Sequence, residues 1–119
     1  MKKTLVFGAS LKPNRYSYYA IEQLVANGFK TEAFGLKEGE VSGVRVRNTL
    51  EGLADIHTVT LYLRPETQKG YYEDILALKP ERVIFNPGTE NMEFMDLLRS
   101  HGIAAEASCT LVLLTTKQY

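Results

Sequence analysis

The chain has 119 residues, 14 Lys plus Arg against 14 Asp plus Glu, and 45% hydrophobic residues. That is enough for one domain, 1–119, with one core, and a net charge of zero argues against general binding of nucleic acid or of a membrane surface. No apolar run approaches a membrane span, the apolar segment after Met-Lys-Lys is too short for a secretory leader, and the single cysteine, Cys109, allows no internal disulfide, so a cytoplasmic protein is expected.

A first strand is expected over 3–8, with Leu5, Val6 and Phe7 as its buried run and Gly8 permitting a tight turn at its end. The loop that follows carries Ser10, Lys12, Asn14 and Arg15 and no acidic residue. A helix is expected over 17–27, with Ala20, Ile21, Leu24 and Val25 on one face, Asn14 or Ser17 as its cap and Gly28 closing it. Strand, glycine, polar-basic loop and helix is the layout of a phosphate-binding turn, in which free amides at a helix N-terminus face an anion. It is not a dinucleotide fingerprint. That pattern needs glycine at 10 and 13, where this chain has Ser10 and Pro13.

Phe29 to Phe34 reads as a second strand, whose alternating Lys30 and Glu32 suggest a place near the sheet edge. Residues 35–43 read as a glycine-punctuated loop, Val44 and Val46 as a short edge strand, and 49–54 as one helical turn capped by Asn48 or Thr49. His57 to Leu63 is the next strand, stopped by Arg64-Pro65. Pro65 suits a first helical position, and Tyr71, Tyr72, Ile75, Leu76 and Leu78 give the helix its apolar face. Arg82 to Phe85 is a strand ended by Asn86-Pro87-Gly88. A helix follows, capped by Thr89 or Asn91, with Met92, Met95 (or Phe94) and Leu98 inward and Gly102 at its end. Ile103 to Ala107 is the last strand. The tail 110–116 is a strand by propensity, although Ser108 equally suits a helix cap.

Strands alternating with helices imply right-handed crossovers and a mostly parallel sheet. The expected fold is a small Rossmann-like, doubly wound α/β domain with five to six strands and helices on both faces. In such a sheet every strand ends on the same edge, and ligands bind there at the switch point. That edge collects Gly8, Ser10, Lys12, Asn14 and Arg15, then Gly35 and Lys37, then Arg64 and Pro65, then Asn86, Pro87 and Gly88, and finally Ser108 and Cys109. Basic, hydroxyl, amide and glycine groups dominate, so a ligand with several phosphates is the natural occupant. Lys37 stands where a classical NAD site has an acid, and suits an extra phosphate on the ribose. His57 and His101 fall on the opposite edge, which separates them from Cys109 and leaves no Cys–His pair and no metal-ligand spacing. Glu90 and Glu93 read as charges complementing a helix dipole, Glu106 as a surface residue, and one of Tyr16, Tyr18 and Tyr19 as a group that packs on the ligand.

With these residues assembled, the chain resembles the small bacterial CoA-binding proteins, whose fold is also that of the CoA-binding domain of the succinyl-CoA synthetase α subunit. The resemblance covers almost the whole chain. It rests on Gly8-Ala9-Ser10 followed by Pro13, Arg15 and Ser17-Tyr18, on Lys37 after the second strand, on the segment Gly43 to Ile56, on Arg64-Pro65 and on Cys109. Phe34-Gly35-Leu36-Lys37 keeps the family lysine and loses its Asn-Pro, and Asn86-Pro87-Gly88 replaces Gln-x-Gly. The resemblance implies binding of coenzyme A or an acyl-CoA: diphosphate on the first turn, ribose 3′-phosphate near Lys37 or Arg15, adenine between strand-end loops, and pantetheine along the sheet edge. It also implies a helix at 109–116, and a Cys109 that meets the CoA thiol only if it is exposed and activated. The synthetase phosphohistidine has no counterpart, so a ligand-binding protein is expected rather than an enzyme. No nucleic-acid or membrane partner is expected, and a homodimer or an unknown protein partner stays open. The alternatives are an NAD(P)-binding oxidoreductase-like domain and an interaction subunit whose nucleotide site has decayed.

Overall fold

A computed structural model describes residues 2–119. Its frame is a seven-stranded sheet in the order β3-β4-β2-β1-β5-β6-β7. The strands are β1 (Lys3–Phe7), β2 (Lys30–Phe34), β3 (Gly39–Val41), β4 (Val44–Arg47), β5 (Thr58–Leu61), β6 (Arg82–Phe85) and β7 (Ala104–Ala107). All pairings are parallel except β3 with β4. The helices are α1 (Tyr16–Ala26), α2 (Pro65–Gln68), α3 (Tyr72–Leu78), α4 (Met92–Ser100) and α5 (Thr110–Thr115), with a 3-10 turn at Lys69–Tyr71 between α2 and α3.

The period-two alternation of β1 divides the core. Leu5 and Phe7 face a cluster with Val59, Leu61, Phe85, Ile75 and Phe94, under α3 and α4. Val6 faces a second cluster with Ile21, Leu24, Ala33, Ile84 and Leu114, under α1 and α5. Helices therefore cover both faces, as expected of a parallel sheet. No helix among the described residues is long and apolar enough to cross a membrane.

The structure corrects several expectations. The sheet has seven strands rather than five to six. Residues 39–41 form β3 instead of loop, because Ser42 (φ 50°) and Gly43 (φ 80°) build a two-residue hairpin turn with both residues left-handed. β3 then takes the edge, so β4 lies one strand inside it, and β2 lies inside β4 despite its charged face. Lys3 pairs with Glu32 across β1 and β2 at 3.2 Å, which accounts for part of that polarity. Residues 49–54 form a turn and no helix. Left-handed Gly52 (φ 77°) and Asp55 (φ 58°) break the run, while Leu50 and Leu53 still pack on the core.

Helix α1 starts at Tyr16 with Arg15 at its cap position and no side-chain cap, so neither Asn14 nor Ser17 serves there. Its C-terminus is as read: the Gly28 amide donates to Val25 O at 3.0 Å and Phe29 to Leu24 O at 3.0 Å, with Gly28 left-handed. Pro65 is the first residue of α2. Asn91 caps α4, its side chain accepting from the Phe94 amide at 3.1 Å; Phe94, Met95 and Leu98 are buried, while Met92 is exposed. The tail is helical against its local propensity. Asn86 Oδ1 takes the Thr110 amide at 2.9 Å, and the Thr115 and Thr116 hydroxyls turn back to the carbonyls of Leu111 and Val112.

Candidate functional site at the C-terminal edge of the sheet

The chain leaves β1 towards β2 on one side and returns from β4 to β5 on the other, which makes the β1–β5 boundary the switch point. Two adjoining cavities open there. The first, of about 500 Å³, lies between the ends of β1 and β2, with apolar walls from Leu11, Phe34, Leu36, Leu63 and Tyr71 and with Lys37 at its side. The second, of about 420 Å³, lies between the ends of β1, β5 and β6 and is lined by Arg15, Tyr16, Tyr62, Arg64, Gly88 and Thr89 among others. Gly8, Ser10, Lys12 and Leu63 border both, so the β1–α1 loop is their common wall.

That loop is held tightly. The amides of Gly8 and Ala9 both donate to Phe34 O, at 2.9 and 2.8 Å. Gly8 is left-handed (φ 96°), and a Cβ there would stand 2.9 Å from the Leu63 side chain. Gly35 is needed for a different reason: a Cβ on it would run into the Ala9 carbonyl oxygen. The Ser10 amide donates to the buried Ser17 hydroxyl at 3.0 Å, and the Lys12 amide to the Ser10 hydroxyl at 3.1 Å. Several loop amides are thus used to shape the turn. At the start of α1 the Tyr18 and Tyr19 amides reach back to Arg15 O, at 3.1 and 3.3 Å, and those of Tyr16 and Ser17 have no intrahelical acceptor by helix geometry.

The charges are unbalanced. Lys12, Arg15 and Lys37 take part in no salt bridge among the described residues, and Arg64 makes only an exposed contact with Glu66 at 3.8 Å. Glu90 approaches from the far side, its carboxylate accepting from the Gly88 amide at 2.8 Å. The Tyr62 phenol is pushed up to about 12, chiefly by burial and against hydrogen bonds from Thr60 and Thr110 that pull the other way. It therefore stays neutral near pH 7.

Of the residues named from sequence, Gly8, Ser10, Lys12, Arg15, Lys37, Arg64 and Gly88 line one or both cavities. Asn14, Pro65, Asn86 and Cys109 line neither. Asn14 is exposed on the outside of the loop, and Pro65 belongs to the first turn of α2. Asn86 is buried, and both its amide hydrogens are taken, by Thr60 Oγ1 at 2.7 Å and Leu61 O at 2.8 Å. Together with its bond to Thr110 it ties β5, β6 and α5, which is a framework role. Cys109 is half-buried at the cap of α5.

His57 lies at the opposite edge, 3.2 Å from Glu81, and Glu106 pairs with Arg82 at 3.2 Å. Tyr16 borders the second cavity, whereas Tyr18 packs on the core. Tyr72 stacks on Phe94 with ring centres 4.2 Å apart. Sequence reasoning missed Leu11, Leu36 and Tyr71 as wall residues. Apolar Leu11 and Leu36 inside otherwise polar loops were the available signal.

Residues 2–115 match the family model described as a CoA binding domain. The chain belongs to that family. Among solved structures, the CoA binding domain seen here is similar to the crystal structure of an uncharacterized protein at 45% identity and TM-score 0.96, over 100% of this chain and 98% of that one. It is similar in fold to a protein from Thermus thermophilus (cell-free ID.343) at 22% identity and TM-score 0.87, over 99% and 90%. It also shares its fold with part of the dinucleotide-forming acetyl-coenzyme A synthetase 1 of Ca. Korarchaeum cryptofilum, solved with phosphate and ADP. There the identity is 16% and the TM-score 0.73, over 87% of this chain and 25% of that one. No curated protein sequence matches the chain.

Proposed function

We propose that this CoA binding domain takes coenzyme A, or an acyl-CoA, across the two cavities and performs no catalysis of its own. The observation that carries the reading is the Gly8–Lys12 loop, free of acidic residues and standing between an apolar cavity and a polar one. The donor set fits the ligand. CoA has a flat aromatic base with apolar faces and a phosphorylated ribose at one end, a diphosphate in the middle, and a long amide arm at the other. Leu11, Phe34, Leu36 and Tyr71 would take the adenine, with Lys37 beside them for the ribose 3′-phosphate. Lys12, Arg15 and the first amides of α1 would hold the diphosphate. Tyr62, Arg64 and the 87–89 loop would line the path of the pantetheine arm.

Lys37 also suits the 2′-phosphate of NADPH, which keeps that nucleotide as the competitor to be measured. Native mass spectrometry of freshly purified protein tests the proposal. A retained species with the mass of CoA or an acyl-CoA is expected. A retained nicotinamide dinucleotide contradicts it.

A further inference from the structure

Gln68, the last residue of α2, is polar and yet has no exposed surface. Its Nε2 donates to two carbonyls, Leu63 O at 2.8 Å and Thr89 O at 2.8 Å. Its Oε1 accepts from Asn91 Nδ2 at 3.0 Å. Leu63 follows β5 and Thr89 follows β6, and both line the second cavity. Gln68 lines neither cavity; it joins the walls from behind. Asn91 extends the link into α4, whose first turn it caps.

The two walls differ in what else holds them. Next to Leu63, the Tyr62 amide is bonded to Phe7 O at 2.9 Å, so that side is fixed to the centre of the sheet. The Thr89 amide and hydroxyl both donate to Asn86 O, at 2.9 and 2.7 Å, which closes the turn on its root, and Asn86 is in turn bonded to Thr60 and Leu61 of β5. The Gly88 amide is bonded to exposed Glu90 alone. Beyond that root, the side chain that joins Thr89 directly to the Leu63 backbone is Gln68. A satisfied buried amide fixes one arrangement of the groups it joins, and its removal leaves buried carbonyls unpaired.

We infer that Gln68 is a positioning residue for the pantetheine arm: it sets the place of the 87–89 wall, which belongs to the second cavity and not to the first. This rests on the CoA reading above. The test is calorimetric titration of the whole chain with CoA and with 3′-phosphoadenosine 5′-diphosphate, which keeps the diphosphate and lacks the arm. Gln68→Met keeps the volume and loses both donors, and Gln68→Glu keeps the shape and opposes both carbonyls with charge. Each variant is expected to bind CoA about tenfold more weakly or worse, with the arm-less nucleotide bound within about twofold of wild type.

A parallel loss for both ligands, or no loss for CoA, overturns the inference. Outright unfolding of both variants also overturns it, because Gln68 is then a folding staple and no more. If the wild-type protein binds the arm-less nucleotide and CoA equally well, the arm makes no contact and the inference falls while the nucleotide reading stands. If it binds neither, the CoA reading itself falls.

Discussion

Replacing Gly35 by alanine strikes the site and the fold at one point. Gly35 follows β2, and the β1–α1 loop crosses directly over it. A Cβ at 35 would overlap the Ala9 carbonyl oxygen, with the Ala9 carbonyl carbon at 3.1 Å and Val46 Cγ1 at 3.3 Å. The obstacle is backbone, so no rotamer change relieves it. The loop must lift, and the bonds it loses are those from the Gly8 and Ala9 amides to Phe34 O. Overpacking at a closed site costs about 1–3 kcal/mol, and weakening two hydrogen bonds adds about 1 kcal/mol. A total of roughly 2–4 kcal/mol lowers Tm by roughly 8–15 °C in a chain of this size. Because the same loop walls both cavities, CoA affinity falls as well. Urea unfolding and calorimetric titration read the two effects. Gly70→Ala is the control, since a Cβ there meets nothing within 4 Å, and it is expected to stay within about 0.5 kcal/mol of wild type. Equal urea midpoints and equal CoA affinities for the two variants would refute the account of how the loop is held.

Lys37→Ala is expected to weaken CoA about tenfold and to leave dephospho-CoA, which lacks the ribose 3′-phosphate, nearly unchanged; equal loss for both ligands contradicts the placing of that phosphate. Arg15→Ala is expected to weaken both ligands together, and a selective loss would move the diphosphate elsewhere. Asn86→Ala removes three buried hydrogen bonds and is expected to cost about 2–4 kcal/mol in urea unfolding, whereas a loss below 1 kcal/mol denies Asn86 its framework role. Burial pushes the Tyr62 phenol up from 10.0 to about 12 and raises Tyr119 as well. The folded state thus favours the protonated phenols: the Tyr62 contribution is complete below pH 10 and is lost as pH rises from there through about 12, and Tyr119 acts in the same direction. The urea midpoint should fall between pH 9 and pH 12, and should fall less in Tyr62→Phe; an identical fall in that variant assigns the effect to other groups.

The elements that alternate cleanly between apolar strands and amphipathic helices were legible from sequence, as was the edge on which Gly8, Lys12, Lys37 and Arg64 meet. Parallel topology alone fixes that edge, since it puts every strand's C-terminus on one side. The hairpin at 39–47 was harder to read. Gly39 and Glu40 look like loop residues, and only the left-handed pair Ser42-Gly43 betrays the turn. Helix α5 defeats its local propensity because Asn86, far away in sequence, supplies the acceptor that starts it. Asn86 itself looked like a ligand residue for the same reason that makes it useful to the framework: a side-chain amide at a strand end can serve either purpose, and only burial decides. Gln68 gave no signal at all, since a glutamine in a short polar helix is ordinary until both its neighbours across the cavity are known.

On the reading proposed above, the paired cavities select coenzyme A. Calorimetric titration of ligand-free protein with CoA and, separately, with NADPH measures this directly. Saturable one-to-one binding of CoA, at least tenfold tighter than NADPH, is the result predicted; tighter binding of NADPH, or no binding of CoA, contradicts it.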